Sequence, residues 1–428
     1  MKTLVIGPGG REHALAVALA RDPAVSEVHV APGNPGMAAI ATLHPVDPMD
    51  GAAVADLAVS LAADLVVIGP EAPLTTGVAD AVRARGIACF GPTAEAAVLE
   101  GSKAFAKDVM AAAGVPTGMA HLCTTPEEVV AALDAFGAPY VVKDDGLAAG
   151  KGVVVTNDRD EAIAHAAGCE RVVIEEFLDG PEVSLFAITD GKTVYPLQPA
   201  QDFKRIHDND EGPNTGGMGA YTPLPWAPAD LVEDVLARVL QPTVDELARR
   251  GTSFQGLLYA GLALTKRGTK VIEFNARFGD PETQALLSLL DSGLGSLLLA
   301  AAQGRLDEVP APRWKAGAAV AVVMASAGYP ESSSKGDEIT GIADAEALGA
   351  TVLHAGTVSS SDGALVTAGG RVLAVVGQGV DVASARKLAY AGVGAIKFDG
   401  AQFRSDIAGD VVATSSTTGA TSTTEQGV

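Results

Sequence analysis

At 428 residues the chain exceeds one folding unit of about 150 residues and has room for about three domains. Hydrophobic residues at 48%, aromatics at 4% and charged residues at 19% describe a globular chain packed mostly by Ala, Val, Leu and Gly, which excludes wholesale disorder. A net charge of −22 repels phosphodiester backbones and anionic lipid, so neither nucleic acid nor a membrane surface is an expected partner, and an anionic substrate must be captured by local cations and backbone N–H groups.

Residues 3–6 (TLVI) form an apolar run closed by Gly7-Pro8-Gly9-Gly10, and Arg11 to Arg21 reads as a helix rich in Ala and Leu. Further strands at 27–30, 64–68 and 87–90, with helical stretches near 51–62 and 73–85, predict a parallel sheet covered on both faces, an α/β domain over residues 1–102. From 103 to 306 the strands at 140–143, 153–156, 171–176, 183–189, 257–265 and 270–275 predict an α+β unit. Ala311 to Trp314 reads as a linker into a last α/β domain at 312–412, and the tail 413–428, almost without apolar residues, is expected to be disordered. Cys89, Cys123 and Cys169 are far apart and make no C-x-x-C pair, which suits free thiols in a reducing compartment. The N-terminal apolar run is too short for a signal-peptide core and no run reaches membrane-spanning length, so a soluble, cytoplasmic protein is expected.

Gly7-Pro8-Gly9-Gly10-Arg11-Glu12 resembles a dinucleotide fingerprint, but the third glycine of G-x-G-x-x-G falls at Glu12, which disfavours a nicotinamide-dependent oxidoreductase. What remains is a helix N-terminus that holds a phosphate, or a tight structural turn. Pro32-Gly33-Asn34-Pro35-Gly36 follows the second strand at the same carboxyl edge, and two Gly-rich turns on one edge favour a ligand crevice. The loop Gly146 to Gly152 is not a Walker loop: three residues, not four, separate Gly146 from Gly150, and Gly152 follows Lys151 where that motif needs Ser or Thr. With a strand entering and another leaving, it is either a flap that closes over a triphosphate or a plain hairpin turn. The segment Glu175 to Glu182 ends an apolar strand and suits either nucleoside recognition or a solvated acidic turn. Glu273 and Asn275 share one strand face, two hard oxygen donors about 7 Å apart that suit Mg²⁺ on phosphates, with a solvated face as the alternative. Asp280-Pro281-Glu282-Thr283 reads as an N-cap, a first-turn proline and an acidic first turn. His13 reads as a packing or hydrogen-bonding residue and is left out of catalysis.

Gly9-Gly10-Arg11-Glu12-His13-Ala14, the GPEAPL run at 69–74, Glu100-Gly101-Ser102-Lys103, Asp145 to Gly152, Gly212 to Gly219 and Glu273 to Glu282 occur in register from residue 4 to about 405. Together they closely resemble the phosphoribosylamine–glycine ligases, or glycinamide ribonucleotide synthetases, which are ATP-grasp enzymes of purine synthesis. The resemblance implies a multidomain ATP-grasp architecture: a Rossmann-like N-terminal domain, an α+β core at 103–306 with a lid at about 115–180, and a C-terminal α/β domain packed beside the first. It also implies ATP-dependent ligation of glycine to 5-phosphoribosylamine through glycyl phosphate, with Mg²⁺ or Mn²⁺ bound. It assigns Lys103 and Lys143 to the ATP phosphates, Gly146, Gly150, Lys151 and Gly152 to the flap, Glu175 and the backbone through Phe177 to adenine, Glu182 to ribose, and Glu273 with Asn275 to metal. Arg277 goes to the reacting centre beside Lys143, with the turn Gly216-Gly217-Met218-Gly219 at the glycine and acyl phosphate and Asp202 at the glycine ammonium. Gly9, Gly10, Arg11, Gly33 and Asn34 fall to substrate, and the instability of the amine leaves open a transient contact with the preceding pathway enzyme.

The chain departs from the family pattern in a short 162–170 segment, in Phe203 where relatives often carry His, and in Asp144 where a small residue is commoner. Strand alternation turns Lys143 toward the nucleotide and Asp144 away from it. Another ATP-grasp carboxylate–amine ligase is the nearest rival, because the nucleotide machinery is shared. A nucleotide-binding regulator without turnover is disfavoured by the metal donors and paired lysines.

Overall fold

Short β-branched runs that end in glycine build the first sheet of the computed structural model, which describes residues 1–146 and 152–412. Lys2–Ile6 lies at its centre, parallel to Glu27–Ala31 on one side and Leu65–Ile68 on the other, with Thr42–Leu43 and Ala88–Phe90 at the edges. Leu4, Val5 and Ile6 are all buried because helices cover both faces, as the unbroken apolar run requires. Strand order reverses about the central strand, so the loops after residues 6, 31 and 68 leave from one edge and form a crevice. The helix expected over 73–85 is two, Glu71–Thr75 and Val78–Ala84, because Gly77 takes a left-handed φ of +84° between them.

The lid is a separate antiparallel sheet in the order Ala120–Cys123, Val172–Glu175, Tyr140–Asp144, Val153–Thr156. Pro126–Phe136 and Arg159–Ala167 cover one face, closing a small core around Leu133, Val142, Ala162 and Ile174. Lys143 pairs with Val153, so the Gly-rich loop does tip a hairpin; its residues 147–151, and the tail 413–428, lie outside the described residues. Opposite the lid stands a second antiparallel sheet, ordered Val194–Pro196, Glu182–Asp190, Gln255–Thr265, Gly268–Asn275. Its last pair shifts register between Gly261 and Leu262, so that Ile272 bulges out.

The third sheet is centred on Ala318–Ala325, with Arg371–Gly379 and Thr351–His354 on one side. On the other side it is extended by Gly219–Thr222 and Gln201–Asp202, which come from the middle of the chain. An expectation of domains in strict succession does not foresee this exchange. The fully buried run at 219–222 pairs on one side with Gln201–Asp202 and on the other with the free edge of Ala318–Ala325, about a hundred residues further along the chain. Cys89 and Cys123 are buried, Cys169 is half-buried, and all three are free thiols. Among the described residues no helix is long and apolar enough to cross a membrane.

Candidate active site

Alternation along Tyr140–Asp144 puts Val142 into the lid core and Lys143 on the opposite face, between the two sheets. The buried Lys143 Nζ lies 3.1 Å from Glu175 Oε2 and donates to Ile272 O, also at 3.1 Å, on the facing sheet. Glu175 is also 3.3 Å from Lys107, whose Nζ donates to Thr117 Oγ1 at 2.8 Å and Gly118 O at 3.0 Å. Lys107 carries no motif that assigns it a role from sequence. Its spacing of four from Lys103, one turn along Lys103–Ala113, was the available signal. Lys103 opens that helix, capped by Ser102, and its Nζ donates to Asp144 O at 2.7 Å and Gly146 O at 2.8 Å at the base of the flap. Asp145 ties the same base down by accepting from Ser102 Oγ at 3.0 Å, Ala104 N at 3.1 Å and Arg171.

Burial lowers the pKa of both Lys103 and Lys107, while Glu273 and Glu175 respectively raise it. Among the described residues Glu175 is the one carboxylate in ion-pair reach of Lys107 and Lys143, and Lys103 has an ion pair with none, so this corner carries surplus positive charge that suits an anion. Glu175 Oε1 is buried with no hydrogen-bond partner, an acceptor open to a ligand donor. Phe177 is 43% exposed beyond it, Gly152 holds the far side of the flap by accepting from Asp144 N at 2.7 Å, and Glu182 pairs with Lys204 at 2.6 Å. Asp144, next to Lys143 on the alternate face, should matter little: Asp144→Ala is expected to change the KM for ATP by no more than about threefold. A tenfold tightening in steady-state kinetics would place its carboxylate at the phosphates.

Glu273 and Asn275 share a face of Gly268–Asn275, with buried Phe274 between them pointing the other way. Burial pushes the Glu273 pKa up, but Lys204, Lys143, Lys103 and Arg277 pull it below its ordinary value. Among the described residues its carboxylate makes no hydrogen bond or ion pair, and Asn275 Oδ1 receives only a long contact of 3.4 Å from Arg277. An ionised, partnerless carboxylate beside a second hard oxygen fits a divalent cation, with the other ligand positions left to phosphate and water. No group of three or more His, Cys, Asp or Glu at metal spacing occurs among the described residues, which leaves Glu273 and Asn275 as a two-donor candidate.

Arg277 lies between Glu71 Oε2 at 3.2 Å and Glu100 Oε1 at 3.3 Å, and donates to Phe278 O at 3.3 Å. All its contacts are long, and its buried Nε, though 3.2 Å from Glu71 Oε2, makes no well-aligned hydrogen bond. Arg11, also buried, meets Glu12 at 2.5 Å and donates to the same Phe278 O at 3.1 Å, with Glu71 at 3.9 Å. Glu71 and Glu100 were visible in their motifs, but nothing local announced that they flank Arg277.

One local expectation needs correction, and several predicted substrate residues are engaged with the protein itself. Glu12 fills the space beneath the first glycine turn: it accepts from Gly9 N at 2.7 Å, and a Cβ on Gly69 would stand 2.0 Å from its Oε1. A carboxylate therefore occupies the N-terminus of Gly10–Ala20 where the nicotinamide reading needed a pyrophosphate, and the Gly9 N–H is engaged. The Asn34 amide, expected at substrate, donates to Pro8 O at 2.8 Å and His354 O at 2.9 Å and accepts from Gly36 N at 3.1 Å, while Gly33 packs beneath it against Leu43 and Val30. In the turn at 216–219, Gly216 N donates to Tyr329, Gly217 N to Thr215 and Met218 N to Phe203 O, so these N–H groups are not available to an acyl phosphate. Met218 and Gly219 are buried packing positions. Asp280 does not cap a helix: it accepts from Gln284 at 2.7 Å and pairs with Arg371 at 3.2 Å, while Glu282, buried, accepts from Tyr259 at 2.8 Å and Ser184 at 3.2 Å. Tertiary partners displaced the local capping role.

The N, ATP-grasp (A) and C domain profiles of phosphoribosylglycinamide synthetase match residues 1–100, 101–283 and 319–410. A phosphoribosylamine–glycine ligase of Streptomyces coelicolor is 64% identical over 95% of this chain and 99% of its own length. Its counterpart in Mycobacterium tuberculosis is 57% identical over 95% and 97%. The chain belongs to the phosphoribosylglycinamide synthetase family. The crystal structure of the phosphoribosylamine–glycine ligase from Thermotoga maritima superimposes with a TM-score of 0.82 at 33% identity, covering 95% of this chain and all of that one. An ADP complex of N5-carboxyaminoimidazole ribonucleotide synthetase, at 18% identity and a TM-score of 0.65 over 92% and 96%, shares the fold.

Within this synthetase fold the departures find packing reasons. Phe203 lies against Tyr221 at 6.2 Å and beneath the Arg404 guanidinium at 4.9 Å, an apolar and cation–π role that imidazole fills less well. His13 accepts from His354 N at 2.8 Å and burial drops its pKa to about 3, so it stays neutral as a bond between the helix Gly10–Ala20 and the third sheet. Asp202, half-buried, has its pKa pushed to about 7 by burial, with Lys204 pulling it down and Glu282 and Glu182 pushing it up.

Proposed function

We propose that this cleft joins glycine to 5-phosphoribosylamine, giving glycinamide ribonucleotide, ADP and phosphate through glycyl phosphate. As a member of its family the chain is an ATP-dependent ligase of purine biosynthesis. One observation carries the site reading: the partnerless Glu273 carboxylate lies in the fields of both a lysine corner with surplus charge and a buried Arg277 held only by long contacts to Glu71 and Glu100.

A carboxylate is a poor electrophile, so glycine must first be activated. Its carboxylate oxygen takes the γ-phosphoryl group as the bond to ADP breaks; the amine nitrogen then attacks the acyl carbon, loses a proton, and phosphate leaves. Lys103, Lys107 and Lys143 hold the polyphosphate, Glu175 and the backbone through Phe177 receive the base, and Glu182 faces ribose. Glu273 and Asn275 would hold Mg²⁺ or Mn²⁺, which when bound neutralises charge on the transferring phosphoryl group. Arg277 steadies the acyl phosphate from its loose seat between Glu71 and Glu100. Gly10 and Arg11 border the amine side. We place the reaction in the cytoplasm, with a transient contact to the enzyme that supplies the unstable amine; failure of a trapping agent for free amine to depress coupled flux would support that contact, and full loss of flux would refute it.

The test is ADP release with glycine, 5-phosphoribosylamine and Mg·ATP, leaving out each in turn. Release that ignores glycine, or that formate or bicarbonate sustains equally, overturns the assignment. Asp202, as partner of the glycine ammonium, adds a pH signature. Its anion is the binding form, so the KM for glycine should fall as pH rises through about 7. Asp202→Asn should flatten that dependence; an unchanged profile would remove Asp202 from the glycine site.

A further inference from the structure

We propose that Arg371, on the third sheet, is a positioning residue for the 277–280 turn, so that the amine side of the cleft is complete only with the C-terminal domain in place; this rests on the ligase reading above. Arg371 opens the strand Arg371–Gly379. Its Nη1 donates to Asp280 O at 2.7 Å, Gly216 O at 2.7 Å and Gly217 O at 3.4 Å, and its Nη2 lies 3.2 Å from Asp280 Oδ2. One planar fork thus holds Asp280 by main chain and side chain, three residues from Arg277, and pins the neighbouring glycine turn to it.

Tyr329 reinforces the clamp. Its OH accepts from Gly216 N at 2.9 Å, and a Cβ on Gly370 would stand 2.3 Å from its ring, so the ring lies flush against the residue before Arg371. A Cβ on Gly217 would stand 2.5 Å from Pro281, which shows how closely the two pinned segments touch. On its other side Asp280 faces the first glycine loop: a Cβ on Gly9 would be 3.8 Å from Asp280 Oδ2, and one on Gly10 would be 2.8 Å from Gln284 Nε2, the group that donates to Asp280 Oδ1. The C-terminal domain therefore reaches the N-terminal loop through Asp280. None of the contacts of Arg371 involves the lysine corner, so its influence should divide the substrates.

Steady-state kinetics on full-length R371A, R371K and Y329F test this, with melting temperatures alongside. R371A is expected to lose on the order of a hundredfold in kcat/KM for 5-phosphoribosylamine while its KM for ATP stays within about threefold of wild type. Added guanidinium should restore part of that loss. Y329F should show a smaller loss, about fivefold, in the same substrate. R371K keeps the charge without the fork and should show the same division, which keeps the test open if R371A does not fold. Parallel worsening for ATP and amine, or wild-type kinetics in R371A, would overturn the proposal. The ligase reading is checked separately, by whether the wild-type protein releases ADP only with both glycine and amine present.

Discussion

Glu273→Ala should lower turnover by two or more orders of magnitude, about 3 kcal/mol or more of transition-state stabilisation, while the melting temperature hardly moves. The effect rests on what the carboxylate does not touch. Among the described residues it has no hydrogen bond or ion pair, so its removal orphans no protein group; Lys204, Lys143, Lys103 and Arg277 act on it only through their fields. A side chain held ionised by surrounding cations, yet bonded to none of them, suits a ligand. Titrating Mg²⁺ or Mn²⁺ against activity should show weaker metal dependence in the variant. If the protein instead melts early with its metal titration unchanged, Glu273 is structural.

Lys143→Ala should cost on the order of a hundredfold in kcat/KM for ATP, about 2.7 kcal/mol, through loss of a charge-assisted phosphate contact. Unlike Glu273, Lys143 is also a structural bridge. It joins Glu175 on the lid sheet to Ile272 O on the facing sheet, so its loss leaves two acceptors short of a donor and should lower stability by roughly 1–3 kcal/mol. Lys143→Arg separates the two roles: a guanidinium can keep the charge and the bond to Glu175, but its fork does not fit the space of a point ammonium. Recovery of melting temperature without recovery of kcat/KM is the expected outcome, and recovery of both would mean that charge alone matters there.

The sequence was most legible where chemistry is local. The parallel strands about Lys2–Ile6, the hairpin that carries Lys143, and the shared face of Glu273 and Asn275 all follow from periods of two and from glycine punctuation. It misled where a local motif had a distant competitor. Asp280 carries the signature of an N-cap, but Gln284 and Arg371 take its carboxylate.

Composition, strand periodicity and turn residues alone determined that this is a globular, multidomain α/β chain with a Gly-rich loop between two paired strands and two hard oxygen donors on one strand face, because each of those features is decided within a window of a few residues. Only the tertiary structure decided what those features face. Lys107 beside Glu175, Glu71 and Glu100 around Arg277, and Gly219–Thr222 in the sheet of Ala318–Ala325 are meetings of segments far apart along the chain. Arg371 reaches its partners across 155 and 91 residues. Such contacts depend on which sheet edge is free and which buried charge still needs a counterpart, quantities that exist only once the whole chain has packed.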